Sequence, residues 1–201
     1  MIGYLARSLR GIGRHLKYHL KDKWRFVYLE FTFDRPIQPL TDSSLLIRRI
    51  GSSDLEQVRR DLLPHLTGEQ SYDTRYFETM GEKGSTCFVA EREGRLIHYS
   101  WVFTDIFRSP ITKVPFDLSK LRSNDSYIGP VFTVPGSRGM TYLYVLPVIL
   151  EHLVEIGVKR ALVLVDQNNA AAKSFYLKFG FKLITDTQTI GAVSVVTRLF
   201  R

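Results

Sequence analysis

The chain has 201 residues, of which 44% are hydrophobic and 12% aromatic, which is the composition of a soluble globular protein with one well-buried domain. Cys87 is the single cysteine, so an intrachain disulfide and a zinc site made of cysteines are both excluded. No apolar run approaches the ~20 residues that a membrane-spanning helix needs, which argues against an integral membrane protein. We therefore expect a cytoplasmic protein, and we predict no metal site.

The formal net charge of +8 is concentrated near the N-terminus. Residues 1–25 contain seven Lys and Arg residues and one acid, whereas the rest of the chain has 21 basic and 19 acidic residues. The basic character therefore describes this segment and not the substrate of the remaining chain. Nucleic-acid binding is not expected, because the basic residues are confined to one predicted helix without a stacking platform.

Residues 1–25 have the pattern of an amphipathic helix. Six aliphatic side chains recur at steps of three and four residues, namely Ile2, Leu5, Leu9, Ile12, Leu16 and Leu20. Three interpretations stay open: peripheral contact with the inner face of a membrane, packing on this chain or on a second copy in a homodimer, and a transit peptide. We predict a basic N-terminal extension over residues 1–38, in which residues 24–33 are extended, and a globular domain over residues 39–201.

The first part of this domain shows strand and helix signals in alternation. Residues 45–50 predict a strand, and Ser53 with Glu56 forms a capping-box signature that opens a helix. Residues 72–80 predict a second short helix. Residues 86–92 and 95–104 predict an antiparallel hairpin around Glu93 and Gly94 whose side chains alternate between two faces. Residues 105–124 predict a long loop.

The stretch from residue 131 to 181 is the most informative. A strand end is followed by a turn at residues 135–139 and then by a long helix, in which Pro147 predicts a kink or an early end. A strand, a glycine turn and a helix start present unbonded backbone N–H groups at the positive end of a helix dipole, which suits a phosphate. Residues 160–165 predict a strand and residues 169–179 a helix that ends at Gly180. Residues 182–185 and 192–200 predict the last two strands.

The final helix carries a spaced motif. Its residues fall at intervals of three, four and four, which places them on one helix face: Asn169, Ala172, Tyr176 and Gly180. With Phe181 they match N-x-x-A-x-x-x-Y-x-x-x-G-F, which resembles the helix-and-strand ending of the GNAT superfamily of N-acetyltransferases. The family's pyrophosphate loop, Q/R-x-x-G-x-G/A, corresponds here to residues 136–141. Arg138 and Gly139 fit that loop, whereas Gly136 and Thr141 depart from it.

The resemblance implies a fold, a co-substrate and a set of site residues. The fold is α/β of the α+β kind, with a mixed, mostly antiparallel sheet of six to seven strands, about four flanking helices and, in this chain, the additional N-terminal helix. The co-substrate is acetyl-CoA. Tyr176 is the implied catalytic acid that protonates the leaving thiolate. The implied cofactor-binding residues are Phe132, Thr133, Val134, Arg138, Gly139, Met140, Thr141, Asn169 and Ala172.

These implied roles differ along the chain. Backbone N–H groups of residues 132–134 polarise the thioester carbonyl, and residues 138–141 hold the pyrophosphate. Asn169 bonds the pantetheine arm, although an asparagine at this position is also a favoured helix N-cap. The general base stays open. Residues 125–134 contain no glutamate, and the candidates are Asp125, Tyr127, His98, Asp166 or a chain of water molecules.

The function that follows is acetyl transfer from acetyl-CoA to a primary amine of a small molecule. Residues 131–139 with Tyr142 are loosely similar to GNAT proteins found among bacterial polysaccharide biosynthesis proteins, which suggests an amino sugar or a nucleotide amino sugar. Two alternatives stay open. One is transfer of a longer acyl chain at a membrane surface, with residues 142–144 lining the acyl site. The other is a non-catalytic binding module with the GNAT fold.

Overall fold

The computed structural model describes residues 26–34, 36–38, 40–78, 84–113 and 118–185. The predicted N-terminal amphipathic helix and the predicted strand over residues 192–200 lie outside these ranges, so both stay predictions. Among the described residues, no helix combines the length and the apolar character required to cross a bilayer.

The described ranges contain seven strands and four α-helices. The strands are β1 (Phe26–Thr32), β2 (Leu46–Arg49), β3 (Ser85–Arg92), β4 (Arg95–Phe103), β5 (Asp125–Thr133), β6 (Arg160–Asp166) and β7 (Lys182–Thr185). The helices are α1 (Leu55–Asp61), α2 (Thr74–Glu78), α3 (Thr141–Glu155) and α4 (Ala170–Phe179). The strand order is β2-β3-β4-β5-β6-β1-β7. Pairing is antiparallel for β2–β3, β3–β4, β4–β5 and β1–β7 and parallel for β5–β6, which confirms the predicted mixed sheet.

The chain divides into two compact units. The larger unit consists of the described residues within Phe31–Ser109 and Arg122–Val163, and it holds β2 to β5, α1 to α3 and most of β6. The smaller unit consists of the described residues within Met1–Glu30, Pro110–Leu121 and Leu164–Arg201, and it holds most of β1, the end of β6, α4 and β7.

The β3–β4 hairpin forms where the sequence predicts it. Glu93 and Gly94 both have positive φ, at 52° and 74°, as a tight two-residue hairpin turn requires. Alternation along β4 then separates two faces. Tyr99 and Trp101 contact Phe77 of α2, whereas His98 on the opposite face stacks on Tyr142 of α3. The hairpin is therefore covered on both faces and forms the centre of the larger unit's core.

Helix boundaries depart from the sequence pattern where local turns intervene. The predicted capping box at Ser53 and Glu56 is wrong, because α1 begins at Leu55 after a 3-10 turn and the Asp54 carboxylate caps the Gly51 N–H at 2.9 Å. The predicted helix over residues 72–80 starts two residues later, as α2 at Thr74, because residues 68–73 form a 3-10 helix, and residues 79–80 lie outside the described residues.

Two further elements differ from their predictions. The predicted loop over residues 105–124 contains three short 3-10 helices in its described part. Helix α3 continues for eight residues beyond the buried Pro147, so this proline does not end it. Both segments are thus more regular than their proline content suggests.

Strand β1 gives structure to a segment that the sequence marks only as extended. It pairs with β7, and Val27, Tyr28 and Leu29 are at most 4% exposed. This strand lies within residues 1–38, which the sequence assigns to the N-terminal extension. The boundary at residue 38 stays a prediction, but a chain cut there would lose a strand of the sheet.

Candidate active site

The turn between β5 and α3 has the features of a phosphate-binding site. A 3-10 turn over Pro135–Ser137 leads to residues 138–140, and α3 follows at Thr141. Thr141 Oγ1 donates a hydrogen bond to the Ser137 carbonyl oxygen at 2.7 Å, which ties the helix start to the turn. Within the described residues, the backbone N–H groups of Gly139, Met140 and Thr141 donate no hydrogen bond. They are therefore available to phosphate oxygens at the positive end of the helix.

Gly139 is required at this turn for its backbone conformation. Its φ is +103°, which side-chain-bearing residues rarely adopt, whereas a Cβ atom built on it would meet nothing within 4 Å. The constraint is therefore torsional and not steric. Gly136, three residues earlier, has neither a positive φ nor a close neighbour. Gly139, which fits the family loop, thus needs to be glycine for its backbone conformation, whereas Gly136, which departs from the loop, does not.

Strand β5 parts from β6 before it reaches this turn. The parallel ladder pairs residues 125–128 with residues 160–163 and ends there. Beyond it, a bulge at Gly129 and Pro130 lies opposite Trp101 of β4, and the β4–β5 ladder resumes at Val131. The last residues of β5 are therefore paired on the β4 side.

Of the three backbone N–H groups predicted to polarise the thioester carbonyl, two are paired with β4 and that of Thr133 is not. The Val134 N–H donates to the Ile97 carbonyl at 2.9 Å and is not available to a substrate. Because the N–H groups of an antiparallel strand alternate in direction, the Phe132 N–H also faces β4 and the Thr133 N–H faces away from it. Arg138 Nε donates to the Thr133 carbonyl at 3.3 Å. Arg138 is thus held beside Thr133, the one of these three residues whose N–H faces away from β4.

His98, one of the candidate bases, lies between two hydroxyl groups. It is fully buried, its Nδ1 lies 2.7 Å from Thr133 Oγ1, and its Nε2 lies 2.7 Å from Ser100 Oγ. Burial lowers the pKa of His98 to about 3, so the imidazole is neutral near pH 7 and a weak proton acceptor. The geometry therefore argues against His98 as the general base and assigns it to holding the Thr133 side chain.

Asp125 and Asp166 have structural partners. The fully buried Asp125 carboxylate accepts hydrogen bonds from Arg160 Nη2 at 2.6 Å and Nε at 3.0 Å, and from the Arg122 N–H at 2.8 Å. Asp166 Oδ1 accepts the Asn168 N–H at 2.9 Å in the turn before α4. These partners occupy both oxygens of the buried Asp125 carboxylate, whereas Asp166 stays a candidate base.

Tyr127 is enclosed by its own strand. It is 6% exposed, and its hydroxyl lies 2.7 Å from where a Cβ atom would stand on Gly129. The bulge glycine therefore makes room for this tyrosine. Its surroundings favour a packing role over a catalytic one.

The smaller unit contains the motif helix α4. Asn169 is its N-cap, and Asn169 Oδ1 accepts the Ala172 N–H at 3.0 Å. The capping interpretation of Asn169 is confirmed, and the side-chain nitrogen is the group left to donate to a pantetheine amide. Gly180 ends the helix with φ of 110°. The motif's Asn, Ala and Gly positions are thus explained in part by helix caps.

Tyr176 lies on the buried side of α4. The residue is 6% exposed, and its ring contacts Phe181 at 5.0 Å and Phe175 at 5.4 Å between centroids. The Tyr176 carbonyl accepts N–H bonds from Gly180 and Phe181, so the residue is also part of the helix end. Tyr176 as a catalytic acid stays a prediction from the motif.

Sequence reasoning missed Asp73. The Tyr99 hydroxyl donates a hydrogen bond to Asp73 Oδ2 at 2.8 Å, and burial raises the pKa of Asp73 above its ordinary value. Five rings of the larger unit form a chain of contacts that includes Tyr99, and we call them the aromatic cluster: Tyr76, Phe77, Tyr99, Trp101 and Phe132. Alternation along β4 signals that Tyr99 and Trp101 share a face, but no local pattern links them to Asp73.

One family model matches most of the chain. The model of the Acetyltransferase (GNAT) family matches residues 53–181, which include the end of β5, the whole of α4 and residues 135–141 between β5 and α3, which we call the phosphate turn. The chain belongs to the GNAT family. No curated protein sequence shows significant similarity to this GNAT protein. No group of three or more His, Cys, Asp and Glu side chains that could hold a metal ion occurs within the described ranges.

Solved structures resemble this GNAT protein in fold. An acetyltransferase of the family from Novosphingobium aromaticivorans has a TM-score of 0.51 and 17% identity, covering 79% of this chain and 61% of its own. AAC(6')-Iy in complex with the bisubstrate analogue CoA-S-monomethyl-acetylneamine has a TM-score of 0.54 and 14% identity, covering 70% and 92%. The PaiA N-acetyltransferase from Thermoplasma acidophilum in complex with coenzyme A has a TM-score of 0.50 and 16% identity, covering 71% and 93%. The chain thus spans about three fifths of the first of these proteins.

Proposed function

We propose that this GNAT protein transfers an acetyl group from acetyl-CoA to a primary amine of a small molecule in the cytoplasm. The observation that carries the proposal is the phosphate turn. Three consecutive N–H groups, of Gly139, Met140 and Thr141, have no partner among the described residues, and they lie in the segment matched by the family. Such a group of donors at a helix start suits the pyrophosphate of coenzyme A.

The remaining roles follow from the residues that match the family's motifs. Arg138 adds positive charge beside the turn, and the Asn169 side-chain nitrogen donates to an amide of the pantetheine arm. The Thr133 N–H polarises the thioester carbonyl and stabilises the negative charge that develops on its oxygen. The Tyr176 hydroxyl gives a proton to the leaving thiolate, a transfer that is feasible because phenols and thiols have ordinary pKa values of about 10 and 8.5.

The acceptor to test first is an amino sugar, free or linked to a nucleotide. It is suggested by the loose similarity of residues 131–139 and Tyr142 to GNAT proteins of polysaccharide biosynthesis. The experiment measures release of the free coenzyme A thiol with glucosamine and with a nucleotide-linked amino sugar. The matched controls are N-acetylglucosamine, whose amine is blocked, and glucose, which has a hydroxyl in its place.

We expect thiol release to depend on the unblocked amine and an N-acetylated product to be detected by mass spectrometry. Equal release with the blocked sugar would indicate plain thioester hydrolysis and would contradict this acceptor class. The same assay with longer acyl-CoA donors tests the alternative of a longer acyl chain. A protein that binds acetyl-CoA and transfers to none of a broad panel of amines would support the binding-module alternative.

A further inference from the structure

Asp73 is a half-buried carboxylate that forms no direct ion pair in the described part of the chain, although the Arg75 guanidinium is near enough to lower its pKa. It is the last residue of the 3-10 helix Gly68–Asp73, directly before α2. Its Oδ2 accepts the Tyr99 hydroxyl at 2.8 Å, and within the described ranges Oδ1 accepts no hydrogen bond and no Lys or Arg forms an ion pair with it. A carboxylate removed from water is costly unless a donor or a cation compensates it. An ammonium group would supply both a charge and hydrogen-bond donors.

The aromatic cluster next to Asp73 also favours a cation. Phe77 meets Tyr99 edge-on at 5.2 Å and Trp101 at 5.4 Å, and Tyr76 lies 6.0 Å from Trp101. Aromatic ring faces attract ammonium groups, most strongly where water is excluded. The Arg75 guanidinium lies over the Tyr76 ring at 4.9 Å from its centroid, which shows that a cation is attracted to this cluster. The carboxylate hydrogen-bonded to Tyr99 adds a second kind of attraction for a protonated primary amine.

The aromatic cluster also includes a residue of β5, the strand whose Thr133 N–H is the proposed donor to the thioester carbonyl. Tyr99 pairs with Phe132 across the β4–β5 ladder, and the two rings stack at 5.6 Å with 27° between their planes. Phe132 precedes Thr133, whose N–H faces away from β4. Asp73 is thus connected to the end of β5 through Tyr99 and Phe132, all within the larger unit.

Burial and the neighbouring charged and titratable groups shift the pKa of Asp73 in opposite directions. Burial, the largest effect, raises the pKa of Asp73, while the Tyr99 hydroxyl and the Arg75 guanidinium lower it. The other titratable neighbours are Tyr76, whose pKa is also raised by burial, and Cys87, which acts on Tyr99. The pKa of Asp73 lies above its ordinary value, which makes this carboxylate a better proton acceptor than an exposed one.

We propose that Asp73 binds the ammonium group of the acceptor and removes a proton from it. This assignment rests on the proposed acetyltransferase function. An N–H bond of the ammonium breaks, its electron pair stays on nitrogen, and the proton binds Asp73. The neutral nitrogen attacks the acetyl carbon, the C–S bond breaks, and the thiolate takes the proton of the Tyr176 hydroxyl. The proton then lost from the acylated nitrogen restores Tyr176, and Asp73 returns its proton to water.

The first experiment compares wild type with Asp73→Asn in the thiol-release assay as a function of pH, using the best amine of a panel led by glucosamine. We expect kcat/KM to fall about 100- to 10,000-fold in Asp73→Asn, as for loss of a general base. The wild-type profile should lose activity at low pH as Asp73 becomes protonated, and this acidic limb should be absent from the residual activity of the variant. Asp42→Asn is the matched control, because the half-buried Asp42 carboxylate contacts Ser44 in its own turn and Arg92 and has no contact with the aromatic cluster among those described.

A second variant tests the assignment even if Asp73→Asn does not fold. Tyr99→Phe removes a hydrogen bond that lowers the pKa of Asp73, so the acidic limb should move to higher pH. A residue that only supports the fold would leave the position of this limb unchanged. Circular dichroism and acetyl-CoA titration of each variant show whether the fold and the coenzyme site are retained.

The outcomes separate this inference from the proposed function. An active wild type with a folded Asp73→Asn variant of similar kcat/KM and the same acidic limb would overturn the role of Asp73 and leave the acetyltransferase function standing. An unmoved limb in an active Tyr99→Phe variant would also overturn it. A wild type that binds acetyl-CoA but acetylates no amine of the panel would overturn the proposed function, and the role of Asp73 with it.

Discussion

Tyr176 combines the motif position of a catalytic acid with a buried ring that packs on Phe175 and Phe181. Removing only its hydroxyl separates these two contributions. We expect Tyr176→Phe to lower turnover about 10- to 1,000-fold, because a positioned acid is lost, while the ring contacts and the affinity for acetyl-CoA are retained. Steady-state kinetics and calorimetric titration measure the two quantities.

A buried tyrosine without a proposed catalytic role provides the control for Tyr176. Tyr28 of β1 is 1% exposed, and Tyr28→Phe makes the same chemical change. Turnover should fall in Tyr176→Phe and not in Tyr28→Phe. Unchanged turnover in Tyr176→Phe would remove this hydroxyl from the mechanism.

The lowered pKa of His98 predicts how the stability of the fold depends on pH. Its pKa falls from 6.5, the ordinary value expected in the unfolded chain, to about 3 in the folded protein. Between these pH values the unfolded chain binds a proton at His98 that the folded protein does not. Stability is therefore fully present above pH 6.5 and is lost as the pH falls, by up to about 1.4 kcal/mol per pH unit from this residue.

Urea unfolding at pH 7, 5.5 and 4.5 measures this contribution. We expect His98→Gln, which keeps a polar side chain beside Thr133 and Ser100, to have a shallower loss of unfolding free energy on acidification than wild type. His65→Gln, at an exposed histidine, is the control. Equal slopes for wild type and His98→Gln would show that His98 is not buried in the neutral state.

The phosphate turn is the element whose geometry most directly supports coenzyme binding. Gly139→Ala forces a side chain into a left-handed conformation at a cost of about 1 kcal/mol or more, and relief of this strain would redirect the neighbouring N–H groups. We expect the affinity for acetyl-CoA to fall at least about 10-fold while the protein stays folded. Isothermal titration of each variant provides the dissociation constants.

Gly136→Ala is the matched control, because the same Cβ atom is added three residues away at a position with an ordinary φ and open space. Its affinity should stay close to that of wild type. Equal losses in both variants would mean that the conformation of Gly139 is not the feature that organises the turn.

Elements with strong local signals could be predicted from the sequence within a residue or two. The Glu93–Gly94 turn requires positive φ, and Asn169 with Gly180 caps α4 at both ends, so the local chemistry itself fixes these boundaries. The start of α1 could not be predicted in this way. Asp54 bonds both Gly51 and Arg48 of β2, and the second of these contacts depends on how the chain folds back.

Some features of the candidate site could likewise be predicted from the sequence, and others could not. The phosphate turn and the α4 motif were visible in the sequence because each is a contiguous segment. The choice among residues 132–134 required the hydrogen bond between Val134 and Ile97, which only strand pairing reveals. The Asp73–Tyr99 pair joins residues 26 positions apart and has no sequence signature.

At the scale of the whole molecule, β1 links the N-terminal part of the chain to the sheet. Four of its side chains are at most 4% exposed, namely Val27, Tyr28, Leu29 and Phe31. Each such burial contributes about 1.5 to 3 kcal/mol, so together they are comparable to the total stability of a typical domain. We expect a chain starting at residue 39 to lose cooperative urea unfolding and a chain starting at residue 26 to keep it.

Cooperative unfolding of the chain that starts at residue 39 would show that the boundary predicted at residue 38 is a true domain boundary. The chain that starts at residue 26 also isolates the basic segment of residues 1–25. Vesicle sedimentation and the oligomeric state of this chain, compared with the full chain, distinguish membrane contact from a homodimer.

The central claim is that the turn between β5 and α3 binds the pyrophosphate of acetyl-CoA. The measurement that tests it most directly is calorimetric titration of the full chain with acetyl-CoA, with desulfo-CoA and free coenzyme A as controls for the thioester. We predict binding in the micromolar range, about −8 kcal/mol. A folded protein that gives no binding heat with acetyl-CoA, with a longer acyl-CoA or with free coenzyme A would contradict the account.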